Sequence, residues 1–287
     1  MKVYFRKLTK KDVPAILDIS RDIWEGDDYI PNVIYDWLDD RESLNYGVFS
    51  ELNFKNLIGF GRVKVYDYNL AWLEGGRVKS SYQKQGIGRE IMKYALNYAK
   101  ERGVTRVQYD TSSGNEGSIA LANHFGFQRK KSMELLGCKF NEIIKLELKS
   151  TKMKKISLEK AKEFYSNVEV GPGDEICIGW AYIPLKYLTN QNSIWFRNDN
   201  AILQKVKAQT RAFHEAPNKN ETWLISYGKP GDAFNLIQNV ILEEDHEDSY
   251  YYYVFCRPDM VTEIQKIGFS YWDNEQVQVI LFEKRLN

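Results

Sequence analysis

The most constraining feature of this 287-residue chain is a glycine-bearing turn between a strand pattern and a helix pattern. Residues 70–79 lead into the turn Gln83 to Gly88, and an amphipathic helix pattern runs from Arg89 to Glu101. The first N–H groups of a helix have no intrahelical partner and lie at the positive end of the helix dipole. Glycine lets the backbone approach a ligand closely because it has no Cβ. The turn therefore predicts a binding site for a phosphate or diphosphate group.

This turn differs from two common nucleotide-binding glycine motifs. A Rossmann fingerprint would need a third glycine at position 91, which is Ile91, and a P-loop would need Gly-Lys-Ser/Thr. An ordinary helix-entry turn would also explain the two glycines. The sequence on either side must therefore decide between a ligand site and a plain turn.

Length and composition bound the class of protein. A chain of 287 residues exceeds the usual single domain and predicts two. The 40 basic and 39 acidic residues are dispersed, which argues against a nucleic-acid partner. Three distant cysteines predict neither a disulfide framework nor a metal site: Cys138, Cys177 and Cys256. A charged start without an apolar signal core, and the lack of a long apolar run, predict a cytoplasmic protein with no membrane partner. We expect a monomer or a homodimer.

The order of elements predicts the fold class. A strand at residues 3–8 precedes two helices and three strands whose short turns indicate antiparallel pairing. The helix after the glycine turn follows, then a strand and a helix that opens at Asn115. Two further strands are predicted, from Gln128 to Leu136 and from Glu142 to Leu148. This order predicts an α/β (α+β) domain with a mixed, mostly antiparallel sheet flanked by helices.

Two blocks of sequence carry a family resemblance. The spacing Gln-x-x-Gly-x-Gly at Gln83 to Gly88, and the run from Asn115 to Gly126-Phe127, resemble the two signature blocks of the GNAT N-acetyltransferases. Arg6 and Asp12 near the start fit the same family. The resemblance covers residues 3 to about 148. It implies the GNAT fold, with acetyl-CoA as co-substrate and no metal.

The resemblance also implies a set of cofactor contacts. The backbone of Arg77, Val78 and Ser80 would run beside the pantetheine arm, and the Val78 N–H would stabilise the oxyanion formed from the thioester. The residues that would surround the diphosphate are Gln83, Lys84, Gln85, Gly86, Ile87, Gly88 and Arg89. Asn115 would touch the cofactor, cap the helix that follows it, or do both.

Catalysis needs a base for the amine and a proton for the leaving thiolate. Glu74 is the candidate base, since many family members carry a carboxylate here, and strand alternation predicts that it shares a face with Val78. Burial would raise its pKa towards a useful range, whereas a surface strand glutamate is the alternative. The family often has a tyrosine as the acid where this chain has Ala122. His124, another tyrosine, water, or a loss of catalysis would account for that difference.

The acceptor site is predicted between the first two helices. The resemblance places an acceptor amine near Asp27, Asp28 and Tyr29, with Trp72 or Trp37 as an apolar wall. This loop, and Leu73 to Val78, look like segments of the histidine N-acetyltransferase subgroup, which implies a small-molecule amine such as an amino acid. A protein N-terminus or lysine as acceptor, a noncatalytic acyl-CoA sensor, and an ordinary helix-entry loop remain alternatives.

The second half repeats the element order of the first. We predict a GNAT domain at residues 1–149 and a degenerate GNAT-like domain at residues 150–287. The second turn, Tyr227 to Asp232, lacks the first turn's spacing. Its proline removes one N–H donor, and its aspartate places negative charge where a phosphate would lie. This domain is therefore expected to shape the acceptor site without binding the cofactor.

Overall fold

The computed structural model describes residues 1–26, 28–144, 152–169, 171–189, 193–209, 220–243, 249–271 and 275–286. The chain divides into two compact units. The first comprises Met1–Asp110, Glu116–Lys130 and Leu281–Asn287, and the second comprises Thr111–Asn115 and Lys131–Ile280. Each unit therefore includes a short segment from the other half of the sequence. The predicted boundary between residues 149 and 150 lies outside the described residues.

The first unit begins with strands and helices in the predicted order. Its elements are β1 (Tyr4–Lys7), α1 (Val13–Ser20), α2 (Ile30–Asp39), β2 (Ser43–Phe49), β3 (Leu57–Asp67), β4 (Leu70–Val78), α3 (Ile87–Glu101), β5 (Arg106–Ser112) and α4 (Glu116–His124). Strands β1 to β4 pair with their sequence neighbours in antiparallel register, and β4 pairs with β5 in parallel. The helix between β4 and β5 provides the crossover that a parallel pair needs. The predicted meander and crossover are thus both present.

Helices cover both faces of this sheet. On one face, α1 and α2 bury Ile16, Ile30 and Ile34 against Phe60 of β3. On the other face lies α3, since a Cβ built on Gly59 would point at its isoleucine side chains. Neighbouring residues of a strand face opposite sides of the sheet, so Phe60 faces α1 and α2 whereas Gly59 faces α3. The glycine lets α3 approach the sheet closely at the end where the glycine turn lies.

The second unit repeats this arrangement. Its elements are β6 (Gln128–Lys139), β7 (Lys154–Ile156), α5 (Leu158–Asn167), β8 (Glu175–Cys177), β9 (Tyr182–Pro184), β10 (Ser193–Arg197), β11 (Ala201–Gln209), β12 (Asn220–Gly228), α6 (Pro230–Glu243), β13 (Ser249–Cys256), α7 (Val261–Gln265) and β14 (Val277–Arg285). The order of its main sheet is β7-β10-β11-β12-β13-β6, with one parallel pair, β12 and β13. This is again a strand, turn, helix and parallel strand. The predicted fold class, a mostly antiparallel GNAT arrangement in two copies, is confirmed.

One predicted strand does not form as expected. Residues 140–142 make a single 3-10 turn, residues 143 and 144 are not in a strand, and residues 145–148 lie outside the described part of the chain. The place beside β5 is taken by the end of β14, which belongs to the first unit. There the Phe282 ring stacks on Tyr109, with 5.6 Å between ring centroids. The sequence pattern did not predict that the neighbour of β5 is a strand from the second half of the sequence.

Candidate active site

Strand β4 contains one extra residue next to the predicted base. Glu74 pairs with Arg62 of β3, whereas Arg77 pairs with Phe60 and Val78 with Gly59. Two residues of β4 lie between Glu74 and Arg77, but only one residue of β3 lies between their partners Arg62 and Phe60. The extra residue in β4 is a β-bulge. Residues directly opposite in an antiparallel pair share a face, so Glu74 and Arg77 lie on one face and Val78 on the other. The expectation that Glu74 and Val78 share a face is wrong, because the bulge breaks the alternation.

Glycines make this bulge possible. Gly75 has a φ of +66°, a conformation that L-residues with side chains rarely adopt. A Cβ at Gly75 would also lie 2.5 Å from the ring of Trp37 on α2. The bend is therefore encoded by Gly75 and by the aromatic ring that packs against it.

Strands β4 and β5 pair over a short stretch only. Their register joins Leu70–Trp72 to residues 106–108 and extends no further among the described residues. Beyond Trp72 the bulged β4 leaves its neighbour, which opens the sheet between the ends of the two strands. The N–H of Lys79 donates to the Ile58 carbonyl oxygen at 2.9 Å. Since successive N–H groups of an extended chain point to opposite sides, the Val78 N–H points into this opening.

The glycine turn lies directly beyond that opening. Lys84 and Gly86 both have left-handed backbone, with φ of +59° and +85°, and α3 begins at Ile87. The Gly86 carbonyl oxygen accepts from the N–H groups of Arg89 and Glu90 at 3.0 and 3.2 Å. Two side chains make hydrogen bonds within the turn. The side-chain amide of Gln83 donates to the Val78 carbonyl oxygen, and the side-chain amide of Gln85 donates to the Ser81 carbonyl oxygen.

The N–H groups of this turn are available to a ligand. Among the hydrogen bonds of the described residues, none has the N–H of Lys84, Gln85, Gly86, Ile87 or Gly88 as its donor. A Cβ built on Gly86 would meet no atom within 4 Å. The side chains of Ser80, Lys84 and Arg89 are exposed beside it. Unpaired N–H groups at the start of a 15-residue helix, next to open space, form an anion-binding cradle.

Asn115 keeps the position that its pattern predicts. It directly precedes α4, and its own N–H donates to the Ser112 carbonyl oxygen at 3.0 Å. The loop in front of it is held by Ser113, whose N–H donates to the carbonyl oxygen of Gln278 at 2.8 Å. Residues 111–115 belong to the second unit.

Glu74 is ion-paired in a way that the sequence did not predict. One of its carboxylate oxygens accepts from Nη1 of Arg62, which stands opposite it on β3. The Glu74 side chain is 24% exposed, and burial raises its pKa above the ordinary value although the charges of Arg62 and Lys64 oppose this. A carboxyl group with a raised pKa is suited to accept a proton near neutral pH. A charged residue in the apolar run of β3 was the available signal for Arg62.

Asp28 is also engaged by an arginine. Nε and Nη2 of Arg77 donate to its two carboxylate oxygens at 2.9 and 2.8 Å, and the Asp28 side chain is 1% exposed. The Arg77 guanidinium lies 4.6 Å from the Trp24 ring centroid and 5.2 Å from that of Tyr29. The negative charge of Asp28 is therefore already balanced, and the arginine is covered by aromatic faces.

The other predicted acceptor residues differ in exposure. Tyr29 is 39% exposed and meets Trp37 edge-on, whereas Trp72 is 4% exposed within the sheet. Although part of the side chain is exposed, desolvation of the hydroxyl raises the pKa of Tyr29 to about 12, so this hydroxyl stays protonated at neutral pH. Trp24, with a φ of +47°, is 53% exposed and was not predicted. Asp27 lies outside the described residues.

Ala122, at the position where the family often has a tyrosine, has no access to solvent. Ala122 on α4 is fully buried, and His124 on the same helix is exposed. Below the helix, the hydroxyl of Tyr109 donates to the Ser118 carbonyl oxygen at 2.9 Å, and burial raises the pKa of Tyr109 to about 12. Tyr109 therefore serves the packing of α4 on β5.

The described part of the chain offers neither a clustered set of metal ligands nor a membrane-spanning helix. The described residues contain no group of three or more His, Cys, Asp or Glu side chains placed to hold a metal ion. No helix in the described ranges has both the length and the apolar character needed to cross a bilayer.

Known proteins resemble this chain in family and in fold. Residues 13–127 match the model of the acetyltransferase (GNAT) family. No curated protein matches the chain in a sequence search. Among solved structures, a GCN5-related N-acetyltransferase from Sphaerobacter thermophilus matches with a TM-score of 0.65 and 13% identity, over 99% of this chain and 95% of that one. A tandem GNAT protein from the clavulanic acid biosynthesis pathway matches with a TM-score of 0.61 and 12% identity, over 99% and 98%.

A third solved structure shares the fold as part of a larger chain. It is the glucosamine N-acetyltransferase region of a fungal multi-domain GH3 β-N-acetylglucosaminidase, with a TM-score of 0.66 and 12% identity over 98% of this chain and 38% of that one. At these identities the structural matches establish the fold. Residues 13–127 thus match the GNAT acetyltransferase family, and the chain shares its fold with a solved tandem GNAT protein.

Proposed function

We propose that the protein transfers an acetyl group from acetyl-CoA to the primary amine of a small molecule, with free amino acids as one acceptor class. The observation that carries this proposal is the open turn at Gly86, where unpaired N–H groups face empty space at the start of α3. The turn fits the diphosphate of a coenzyme because it offers several donors and the positive end of a helix dipole. Lys84 and Arg89 add positive charge beside it.

The opening between β4 and β5 supplies the chemistry next to this cradle. The Val78 N–H points into the opening and would stabilise the oxyanion as the amine nitrogen attacks the thioester carbon. Glu74 would take the proton lost by the amine, directly or through water. The new C–N bond then replaces the C–S bond, and the departing thiolate takes a proton from water. This last step accommodates the buried Ala122 in place of an acid on α4.

The acceptor class is inferred from the surroundings of Glu74. Both carboxylate oxygens of Asp28 accept from Arg77, whereas Glu74 accepts, among the described residues, from Arg62 at one oxygen only, so Glu74 is the carboxylate with an oxygen left to meet the amine. The exposed rings of Trp24 and Tyr29 would contact the body of the acceptor. A glucosamine acetyltransferase with the same fold makes amino sugars a second class to screen. The likeness to the histidine N-acetyltransferase subgroup supports amino acids in the same way.

The test is a titration followed by an acceptor screen. Calorimetry with acetyl-CoA should show one binding site per chain. Release of the CoA thiol should then be followed with amino acids, amino sugars, simple amines, and peptides with free N-termini or lysines. Turnover of small amines well above that of peptides would support the proposal. Faster turnover of peptides would assign the protein to protein acetylation, and binding without thiol release would indicate an acyl-CoA sensor.

A further inference from the structure

Arg62 lies between two carboxylates at the centre of the first unit. Its Nη1 donates to Glu74 on β4, and its Nη2 donates to Asp40 at the end of α2 and to the Ser43 hydroxyl at 2.9 Å. The side chain is 6% exposed, whereas the two carboxylate side chains are each 24% exposed. A buried guanidinium with both terminal nitrogens engaged is held in one orientation.

Trp37 fixes the remaining freedom of this arginine. The guanidinium carbon lies 4.7 Å from the Trp37 ring centroid, a distance at which a cation and an aromatic face attract. Trp37 also packs against Gly75, the residue that bends β4 beside Glu74. The bulge, the ring and the arginine therefore form one packed group around the Glu74 carboxylate.

The arginine occupies only part of the Glu74 carboxylate. Among the hydrogen bonds of the described residues, Glu74 accepts one, at Oε1 from Arg62. Its Oε2 therefore keeps its lone pairs for an incoming donor such as an amine or a water molecule. Because Oε1 is tied to a fixed group, the direction of Oε2 is set as well.

From this geometry we propose that Arg62, shared between Asp40 and Glu74, is a positioning residue that orients the Glu74 carboxylate and sets its proton affinity. The inference rests on the proposed role of Glu74 as the base. Nothing in it requires Arg62 to touch the acetyl donor or the amine.

Several charged groups face Glu74 and together set its pKa. Burial raises the pKa, the charges of Arg62 and Lys64 on β3 lower it, and the charge of Asp40 raises it. From the loop before α2, Tyr29 also faces it. A base acts only when deprotonated, so the rate falls as the pH drops below the pKa of Glu74. The acid limb of the pH–rate profile therefore reports this pKa.

The two partners of the network should move the acid limb in opposite directions. Arg62→Gln removes a positive charge and should move it upward by about one pH unit. Asp40→Asn removes a negative charge at nearly constant shape and should move it downward. Arg62→Lys keeps the positive charge but cannot donate to Glu74 and Asp40 from two fixed nitrogens. The acid limb should therefore stay near that of the wild type while kcat falls. The readout is kcat/KM of the full chain, with acetyl-CoA and the best amine of the screen, from pH 5 to 9.

Two controls separate this inference from simpler explanations. Arg106→Gln removes an arginine from another partly buried ion pair of the same unit, with Glu283, and should leave the limb in place. Glu74→Gln should abolish the limb and leave acetyl-CoA affinity unchanged. If Glu74→Gln leaves the limb intact, the base assignment fails and the Arg62 inference fails with it.

The Arg62 inference alone can also fail. If Glu74→Gln abolishes the limb while Arg62→Gln and Asp40→Asn lower the rate without moving it, Arg62 is only structural. Thermal unfolding of each variant shows whether it folds. Should Arg62→Gln not fold, Asp40→Asn decides: a downward shift supports the proposal, and an unmoved limb overturns it.

Discussion

The two units contain the same strand, turn and helix, but Gly86 of the first turn faces open space whereas Gly228, which ends the strand before the second turn, is packed against a loop. In the first, no atom lies within 4 Å of a Cβ built on Gly86. In the second, a Cβ on Gly228 would overlap the carbonyl oxygen of Asn200, and the N–H of Lys229 donates to that oxygen at 3.2 Å. The Asn200 amide also donates to the carboxylate of Asp232 at 3.2 Å.

The difference shows what converts a shared fold into a binding site. In the second unit, the loop between β10 and β11 lies against the start of α6 and uses its polar groups. Asn198 donates to the Asp232 carbonyl oxygen at 2.9 Å and accepts from the N–H groups of Asn200 and Ala201. The helix dipole is the same in both units. What differs is the supply of N–H donors: in the second turn the Lys229 N–H is bound to Asn200, Pro230 has none, and the Asp232 carboxylate adds negative charge.

The largest expected effect comes from putting the same side chain into both turns. Gly86→Glu adds a negative charge and a Cβ at a left-handed residue, which costs about 1–2 kcal/mol for the backbone alone. With charge repulsion added, the Kd for acetyl-CoA should rise by at least about 100-fold. The matched control is Gly231→Glu in the second turn, where a Cβ also meets no atom within 4 Å. Equal affinity of the two variants in calorimetry would remove the distinction between the turns.

The next effect concerns what the second half of the sequence gives to the first unit. Phe282 is 5% exposed and stacks on Tyr109. Phe282→Ala should lower the free energy of unfolding by about 3–5 kcal/mol, measured by urea denaturation. Phe282→Leu, the milder control, should cost less. A loss below about 1 kcal/mol for the alanine variant would show that the end of β14 is dispensable to the first unit.

A smaller effect is expected from loosening the closed turn. Asn198→Ala removes one donor and one acceptor and should lower the free energy of unfolding by about 1–3 kcal/mol. The Kd for acetyl-CoA should not change, because the variant leaves the first turn intact and Asp232 still places negative charge at the second. A second binding site in the titration would mean that Asn198 alone keeps this turn closed.

The smallest effect is a pH dependence of stability. Glu283 accepts from Lys130 and Gln108 at 2.9 and 2.7 Å; burial opposes these contacts, but they hold its pKa below the ordinary value. A depressed pKa gives stability that is present above the unfolded value, roughly 4.3, and is lost as the pH falls through the folded value. Glu283→Gln should therefore lower stability at pH 7 by about 1 kcal/mol. Its urea midpoint should approach that of the wild type below pH 4, and parallel curves would contradict this assignment.

The sequence was sufficient for the order of elements and for the glycine turn. Both depend on local information: apolar periodicity, and glycines before a helix. The left-handed backbone at Gly86 and the start of α3 at Ile87 follow from that information. The degenerate second turn was likewise readable from Pro230 and Asp232.

Pairings between distant residues could not be predicted in this way. Alternation alone put Glu74 and Val78 on one face, but the bulge at Gly75 depends on Trp37 packing from α2. The pairing of Asp28 with Arg77, which is 49 residues away in sequence, was not predicted. The place of β14 beside β5 was not predicted either. Each miss concerns a partner that local pattern does not specify.

The shared strand has a consequence for synthesis on the ribosome. Protein domains generally fold as units, the N-terminal one first, as the chain emerges. Here the first unit includes Leu281–Asn287, so the sheet beside β5 is completed only when this segment, far from the rest of the unit in sequence, has been translated. Until then that edge of the nascent domain is exposed. Expressing the N-terminal half alone would leave it in this unfinished state permanently.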